Sequence, residues 1–206
     1  DCFTGQSESA YKAISRSASK RVVFGETPVV GWSKPLIEKG AYGYAFSHIP
    51  FHELNLPKRT FTFTIFCDPI ARLVSHYRML LDTQNSGEGH PSFREEKRWI
   101  RDGFDGFIEA IPQHHLCNQL FTFSKKLDVS EGVTSLSKVS CVVGLSQICV
   151  LTEVVNREFG LNLKVKHTRR SKFDFEMSPD QKKKAKRLLE PELEFFELSK
   201  KQYWNG

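Results

Sequence analysis

Hydrophobic and polar residues alternate along this chain in segments that predict strands and helices in turn. The clearest strand is residues 60–66 (TFTFTIF), where every position is aromatic or β-branched. It ends at Cys-Asp-Pro, in which Asp68 is a good helix N-cap and Pro69 suits the first turn of a helix. Apolar residues then recur at helical spacing as far as residue 81. The segment is therefore predicted to be a strand, a tight turn and a helix.

The remaining segments continue this alternation. Strands are predicted at residues 21–24, 29–32, 42–47 and 139–143, with a brief one at 163–165, and helices at 6–19, 93–101, 104–111, 146–159, 178–189 and 191–202. Residues 84–92 are polar and turn-rich, and we expect a mobile loop there. The alternation indicates an α/β fold with a mostly parallel central sheet flanked by helices. The length, without any linker-like stretch, favours a single domain over residues 1–206.

Composition and charge narrow the class of protein. No apolar run is long enough to span a membrane, and the start of the chain lacks an apolar signal core. The 30 basic residues exceed the 24 acidic ones, and the net charge of +6 favours an anionic partner such as a nucleotide, a polyanion or nucleic acid. The five cysteines form no Cys-x-x-Cys pair, and no Asn-x-Ser/Thr acceptor is present. We therefore expect reduced thiols and a cytoplasmic protein.

Two side chains of the predicted helix after Pro69 are suited to an anion. Arg72 and Ser75 are three residues apart, so both can project from one helix face. A guanidinium and a hydroxyl together suit a phosphate monoester. The alternative is that Arg72 is a surface charge and Ser75 a small packing residue.

A second candidate anion site precedes the first predicted helix. Its residues are Thr4, Gly5, Gln6 and Ser7. Backbone N–H groups and hydroxyls at such a position can cradle a phosphate or sulfate. A plain helix cap explains the same residues.

The segment around Arg72 resembles a known motif. Residues 67–77 (CDPIARLVSHY) are similar to the 3′-phosphate-binding motif Arg-Asp-Pro-x-x-Arg-x-x-Ser-x-Tyr of sulfotransferases that use 3′-phosphoadenosine-5′-phosphosulfate. The resemblance is closest to the carbohydrate (Golgi-type) sulfotransferases and their bacterial relatives. Residues 46–51 (FSHIPF) resemble the family's Gly-His-x-Pro-Phe-like segment, 116–120 (LCNQL) its Asn-Leu-Gln-Thr-Arg segment, and 142–146 (VVGLS) its Val-Gly-Leu-x-Glu strand end. The similarity covers most of the chain discontinuously and implies a P-loop-like sulfotransferase fold.

The resemblance implies an enzyme that transfers a sulfuryl group from this phosphosulfate donor to a hydroxyl of a carbohydrate or small-molecule acceptor. The product nucleotide would be 3′,5′-adenosine bisphosphate, and no metal is expected. In the resembling enzymes, the histidine that corresponds to His48 lies where the acceptor hydroxyl must lose its proton, a step for which a neutral imidazole is suited. The other histidines that compete for this role are His52, His76, His114 and His115.

The resemblance also implies which residues bind the nucleotide. The expected contacts are Thr4, Gly5, Gln6 and Ser7 at its 5′ end, Arg72 and Ser75 at its 3′-phosphate, and Arg169 and Arg170 beside the remaining charge. The last two belong to the basic segment 164–172 (KVKHTRRSK), which is either a nucleotide clamp or a solvated loop.

Two positions depart from the family pattern. Cys67 occupies the place of the arginine that contacts the 3′-phosphate, and Phe3 that of the lysine that binds the 5′-phosphosulfate. A thiol cannot replace a guanidinium, so Arg72, Arg78 or the basic segment would supply the charge, or nucleotide affinity is weak. Because the chain begins inside the cofactor loop, we expect the first strand of the family fold to be missing.

These departures support a second hypothesis, a catalytically degenerate protein that keeps the fold and acts as an anion-binding or protein-interaction module. A nucleic-acid-binding domain has only the net charge in its favour, so no nucleic-acid partner is expected. The Golgi lumen is the alternative location if the sequence is eukaryotic and lacks its membrane anchor.

Overall fold

The computed structural model describes residues 10–86, 93–165 and 173–204, and in them helices and strands alternate as an α/β fold. The helices are α1 (Ala10–Arg16), α2 (Lys34–Lys39), α3 (Pro69–Ser86), α4 (Phe93–Glu96), α5 (Gly103–Ala110), α6 (Gln113–Leu116), α7 (Asn118–Phe123), α8 (Val129–Leu136), α9 (Ile148–Phe159), α10 (Pro179–Leu188) and α11 (Glu190–Tyr203). The strands are β1 (Arg21–Phe24), β2 (Thr27–Gly31), β3 (Tyr44–Phe46), β4 (Phe63–Phe66) and β5 (Cys141–Gly144).

Residue contacts divide the chain into two compact units. The first comprises Asp1–Thr64 with Lys138–His167, and the second Ile65–Ser137 with Thr168–Gly206. The expectation of a single domain over residues 1–206 stays a prediction. None of the described helices combines the length and the apolar composition that crossing a membrane requires.

The α/β class is confirmed, but the described strands form two small sheets instead of one continuous sheet. In the first, β2 pairs antiparallel with β1 and parallel with β3. In the second, β4 and β5 form a parallel pair. A two-residue turn through Gly25 and Glu26 joins β1 to β2. A connection this short is compatible only with an antiparallel hairpin. The first pairing therefore departs from the mostly parallel sheet predicted from the sequence.

The first unit has a core between α1 and its sheet. Ile14 of α1 and Val29 of β2 are fully buried there. Partly buried apolar side chains surround them, namely Val22, Phe24, Trp32, Tyr44 and Phe46. A Cβ on Gly31 would lie 2.8 Å from the Cγ2 of Ile14, so only glycine lets α1 approach β2 this closely.

The second unit has a larger core around α3. Leu73, Tyr77 and Leu80 recur at helical spacing on its buried face. They pack with aromatic and aliphatic side chains of other segments of this unit, namely Trp99, Ile100, Phe104, Phe107, Ile108, Ile111, Leu116, Ala185 and Leu189. This packing fixes α3, the helix that carries the predicted 3′-phosphate site.

The predicted ends of several helices are confirmed by their caps. The Oδ1 of Asp68 accepts a hydrogen bond from the N–H of Ala71 at 2.7 Å, so Asp68 caps α3 as predicted. Ser178 caps α10, where its Oγ accepts from the N–H of Gln181 at 3.2 Å. Gly160 ends α9 in the left-handed conformation, with φ of 62°.

Two predictions about irregular segments were wrong. The helix α3 continues to Ser86, so residues 84–86 are helical, and the rest of the predicted loop lies outside the described residues. Residues 163–165 form no strand, because Leu163 bonds to a side chain instead. Its N–H donates to the Oδ1 of Asn156 at 2.7 Å, and its carbonyl accepts from the Nδ2 of that residue at 3.1 Å.

Candidate functional site

The turn between β4 and α3 is held by one amide side chain. Cys67 donates its backbone N–H to the Oε1 of Gln119 at 2.9 Å, and its carbonyl accepts from the Nε2 of Gln119 at 3.0 Å. The thiol of Cys67 lies 3.7 Å from the same Oε1. Burial raises the pKa of this thiol, and the nearby charge of Arg72 opposes that shift. Cys67 therefore contributes a neutral side chain where the resembling family has a guanidinium.

The side chain of Arg72 points into the interior of the second unit, to which α3 belongs, and is only 18% exposed. Its guanidinium donates to the carbonyl of Leu116, and to that of His115 at 3.3 Å. Both carbonyls belong to the last turn of α6, where helical carbonyls lack partners within the helix. The guanidinium Nε also lies 3.8 Å from the Oε1 of Glu192. Arg72 is thus neither a free surface charge nor an unengaged phosphate ligand.

Glu192 is completely buried, and its carboxylate caps the start of α7. Its Oε2 accepts from the N–H of Leu120 at 2.8 Å, and its Oε1 from the N–H of Gln119 at 3.1 Å. The side-chain Nε2 of Gln119 also lies 3.3 Å from that Oε1. Burial raises the pKa of Glu192, while Arg72 and these hydrogen bonds act in the opposite direction.

Ser75, one turn after Arg72, is exposed on α3. Arg78 follows Ser75 by three residues, so the two share a helix face. The guanidinium of Arg78 donates to the carbonyl of Phe175 at 2.6 Å and to the Oδ1 of Asp174 at 3.2 Å. The chain that follows the basic segment therefore lies against α3 close to Ser75. Ser75 faces outward, whereas the guanidinium of Arg72 is engaged inside.

His48 is exposed just beyond β3 in the first unit. The Oγ of Ser47 accepts from the N–H of Ile49 at 2.8 Å and fixes the local turn. Trp32 follows β2, and its ring centroid lies 6.4 Å from that of His48. Because β2 and β3 are parallel, both residues stand at the carboxyl edge of the pair, where α/β proteins place their ligands.

The competing histidines of the second unit lie among other side chains. The Nε2 of His76 is 3.7 Å from the Oε2 of Glu96. The rings of His114 and His115 are 4.5 Å apart, and burial lowers the pKa of His115. In the first unit, His52 lies beside Glu53, with 3.8 Å between the Nε2 and the Oε1. His48 is the one of these five that stands at a strand edge suited to ligands.

Some predicted contacts lie outside the described residues. They are Thr4, Gly5, Gln6, Ser7, Arg169 and Arg170. Their roles stay predictions. Among the residues that are described, no cluster of His, Cys, Asp or Glu side chains has the arrangement of a metal site. The four described cysteines, Cys67, Cys117, Cys141 and Cys149, are free thiols.

Gln119 and Glu192 were not predicted to be functional residues from the sequence. Gln119 lies within the segment 116–120 quoted for the resemblance, but nothing there pointed to Cys67. Glu192 carried a clearer signal, because it falls between Leu189 and Phe195 at the spacing of a buried helix face. A carboxylate at such a position requires partners, which in this unit are Arg72 and the start of α7.

Comparison of the chain with protein-family models, with curated proteins and with solved structures finds no match to any of them.

Proposed function

We propose that this protein transfers a sulfuryl group from 3′-phosphoadenosine-5′-phosphosulfate to a hydroxyl of a carbohydrate or small-molecule acceptor. In this reaction a base removes the hydroxyl proton, and the acceptor oxygen attacks sulfur. The bond from sulfur to the phosphate oxygen breaks, which releases 3′,5′-adenosine bisphosphate. Binding, positioning and charge stabilisation supply the catalysis.

The observation that carries the proposal is the strand, turn and helix formed by β4, Cys67 with Asp68, and α3. It leaves Ser75 exposed on α3 and puts Arg78 one turn further along the same face. In the resembling sulfotransferases, the serine at this position contacts the 3′-phosphate. Because the guanidinium of Arg72 is engaged with Glu192, and that of Arg78 with Asp174 and the carbonyl of Phe175, we assign the missing positive charge to Arg169 and Arg170.

His48 supports the proposal from the first unit. It is exposed at the carboxyl edge of a parallel strand pair, and the ring of Trp32 lies beside it. An exposed imidazole at such an edge can reach a bound acceptor and accept its proton. His48 is therefore the proposed base within the first unit. The proposed nucleotide contacts of Ser75, and of Thr4, Gly5, Gln6 and Ser7, rest separately on the resemblance.

Calorimetric titration with 3′,5′-adenosine bisphosphate at low salt tests the proposal. We expect binding that Ser75→Ala weakens by about tenfold to a hundredfold, the effect of losing one hydrogen bond to a charged group. Ser130→Ala is the matched control, since Ser130 is also an exposed serine in the first turns of a helix. Absence of binding at millimolar nucleotide contradicts the proposed function.

A degenerate, non-catalytic relative is the second candidate, and the environment of Cys67 favours it. This side chain is neutral, and the nearest arginine is engaged with carbonyls and Glu192. An assay of sulfate transfer from the phosphosulfate donor separates the two functions, because a degenerate protein binds nucleotide without turnover. Cys67→Arg is expected to tighten nucleotide binding in either case, with Cys149→Arg as a control at an exposed cysteine.

A further inference from the structure

The β4–α3 turn is linked through two partly buried contacts to the interior of the second unit. Gln119 binds both backbone groups of Cys67, and Glu192 binds both the backbone and the side chain of Gln119. Glu192 also caps α7 through the N–H of Leu120. Each hydrogen bond in this series joins segments that are distant in the sequence. The turn therefore depends on α7 and α11 for its conformation.

The chemistry of Gln119 matches the groups that it binds. A primary amide carries one acceptor and one donor, as the N–H and the carbonyl of Cys67 require. Asparagine is one methylene shorter, and glutamate has no donor. The Glu192 carboxylate fixes the orientation of the Gln119 side-chain amide. As an acceptor beside the Nε2, it keeps the amide nitrogen on the side of the Cys67 carbonyl. Arg72 in turn lies beside the Glu192 carboxylate and partly offsets its buried charge.

We propose that Gln119 and Glu192 are positioning residues that hold the Cys67–Asp68 turn in the conformation in which α3 presents Ser75 to the nucleotide. The nucleotide part of this inference rests on the proposed function. The positioning part does not, because it concerns the conformation of the turn alone. The thiol of Cys67 belongs to a residue of this turn, is partly buried, and supplies a local chemical reporter.

The first experiment measures alkylation of Cys67 in Gln119→Met, with the site identified by peptide mass spectrometry and the rate divided by that of the exposed Cys149. Methionine has nearly the volume of glutamine and introduces no charge, so the variant removes the hydrogen bonds to the turn, together with the contact between the thiol and the Oε1, at little change in volume. Gln113→Met is the matched control, because Gln113 is an exposed glutamine on α6. We expect alkylation about tenfold faster in Gln119→Met than in the control, since two hydrogen bonds to the turn are lost.

The second experiment measures hydrogen exchange at the Cys67 amide in Glu192→Gln, with Glu194→Gln as a control on the exposed face of α11. Exchange is used here because a change of charge alters thiol reactivity directly. We expect faster exchange in Glu192→Gln. The carboxylate accepts from the two backbone N–H groups of Gln119 and Leu120, and the NH₂ of a glutamine would face one of them, so one of these hydrogen bonds is lost. If this variant does not fold, Gln119→Met decides the question, since its site is only half buried.

Equal Cys67 reactivity in Gln119→Met and Gln113→Met overturns the inference. A third experiment compares the binding of 3′,5′-adenosine bisphosphate to the same two variants. Weaker binding to Gln119→Met at an unchanged melting temperature supports positioning, whereas equal affinities contradict it. If the unmodified protein binds no nucleotide, the proposed function fails, and the thiol and exchange measurements still decide whether these residues hold the turn.

Discussion

The Nε of Arg72 lies 3.8 Å from a carboxylate oxygen of Glu192, and the two side chains bind backbone groups on either side of the junction between α6 and α7. Arg72 donates hydrogen bonds to the carbonyls at the end of α6, and Glu192 accepts hydrogen bonds from the N–H groups at the start of α7. Helix ends expose such groups without partners inside the helix. The ion pair therefore stabilises the junction of α6 and α7 at Cys117 as well as the buried charge of Glu192.

Removal of one partner is expected to cost more than removal of both. Arg72→Met leaves the completely buried Glu192 without its counter-ion, and the expected loss in unfolding free energy is about 3–5 kcal/mol. Adding Glu192→Gln to Arg72→Met is expected to recover part of this loss. Urea unfolding of the single and double variants measures the coupling, and Arg98→Met controls for the loss of an exposed arginine. Strictly additive losses contradict the pairing.

His48→Ala tests the proposed base. If His48 accepts the proton of the acceptor hydroxyl, kcat for sulfuryl transfer falls by about 10²–10⁴-fold while KM for the donor changes little. The measurement is a steady-state assay with the phosphosulfate donor and a panel of hydroxyl acceptors. His114→Ala, which removes another exposed histidine, is expected to retain activity. An unchanged kcat in His48→Ala assigns the proton transfer to another group.

The buried thiol of Cys117 predicts a loss of stability at high pH. Burial raises its pKa from 9.0 to about 11, so the native state keeps the proton where the unfolded chain loses it. The unfolded state then binds fewer protons between those two pH values, and the unfolding free energy falls as pH rises through the window. This thiol contributes a slope of at most about 1.4 kcal/mol per pH unit.

Urea unfolding across the same pH window measures that slope, and Cys117→Ala is expected to remove this contribution. Cys149→Ala, at the exposed cysteine, serves as the comparison and is expected to leave the slope unchanged. Parallel curves for the unmodified protein and Cys117→Ala would falsify the assignment.

The close packing around Gly132 of α8 determines whether alanine at this position raises or lowers the free energy of unfolding. Glycine to alanine inside a helix normally gains about 1 kcal/mol of stability. Here the new Cβ would lie 2.7 Å from the Cδ1 of Leu120 and 3.1 Å from a ring carbon of Phe195, both fully buried. Overpacking costs about 1–3 kcal/mol, so we expect Gly132→Ala to be destabilising on balance. A raised melting temperature contradicts this close packing, and Ser130→Ala controls for helix propensity.

Local signals explain what was predictable about the fold. Asp68 with Pro69, Ser178 with Pro179, and Gly160 act on the backbone within a turn of their own positions, and each helix end lies where they indicate. The extent of α3 beyond residue 83 was not predictable in this way. Polar residues at a helix end and in a loop have the same composition, so the boundary depends on what the surrounding chain allows.

The α/β alternation, the strand, turn and helix around Asp68, and the spacing of Arg72 and Ser75 on one helix all follow from local sequence pattern. The engagement of the Arg72 guanidinium beside Glu192, and the contact of Gln119 with Cys67, 52 positions away in the sequence, are known from the folded chain alone. Helix periodicity specifies which residues share a face, but it does not specify which segment packs against that face. A buried carboxylate that caps another helix supplied the partner that spacing alone left open.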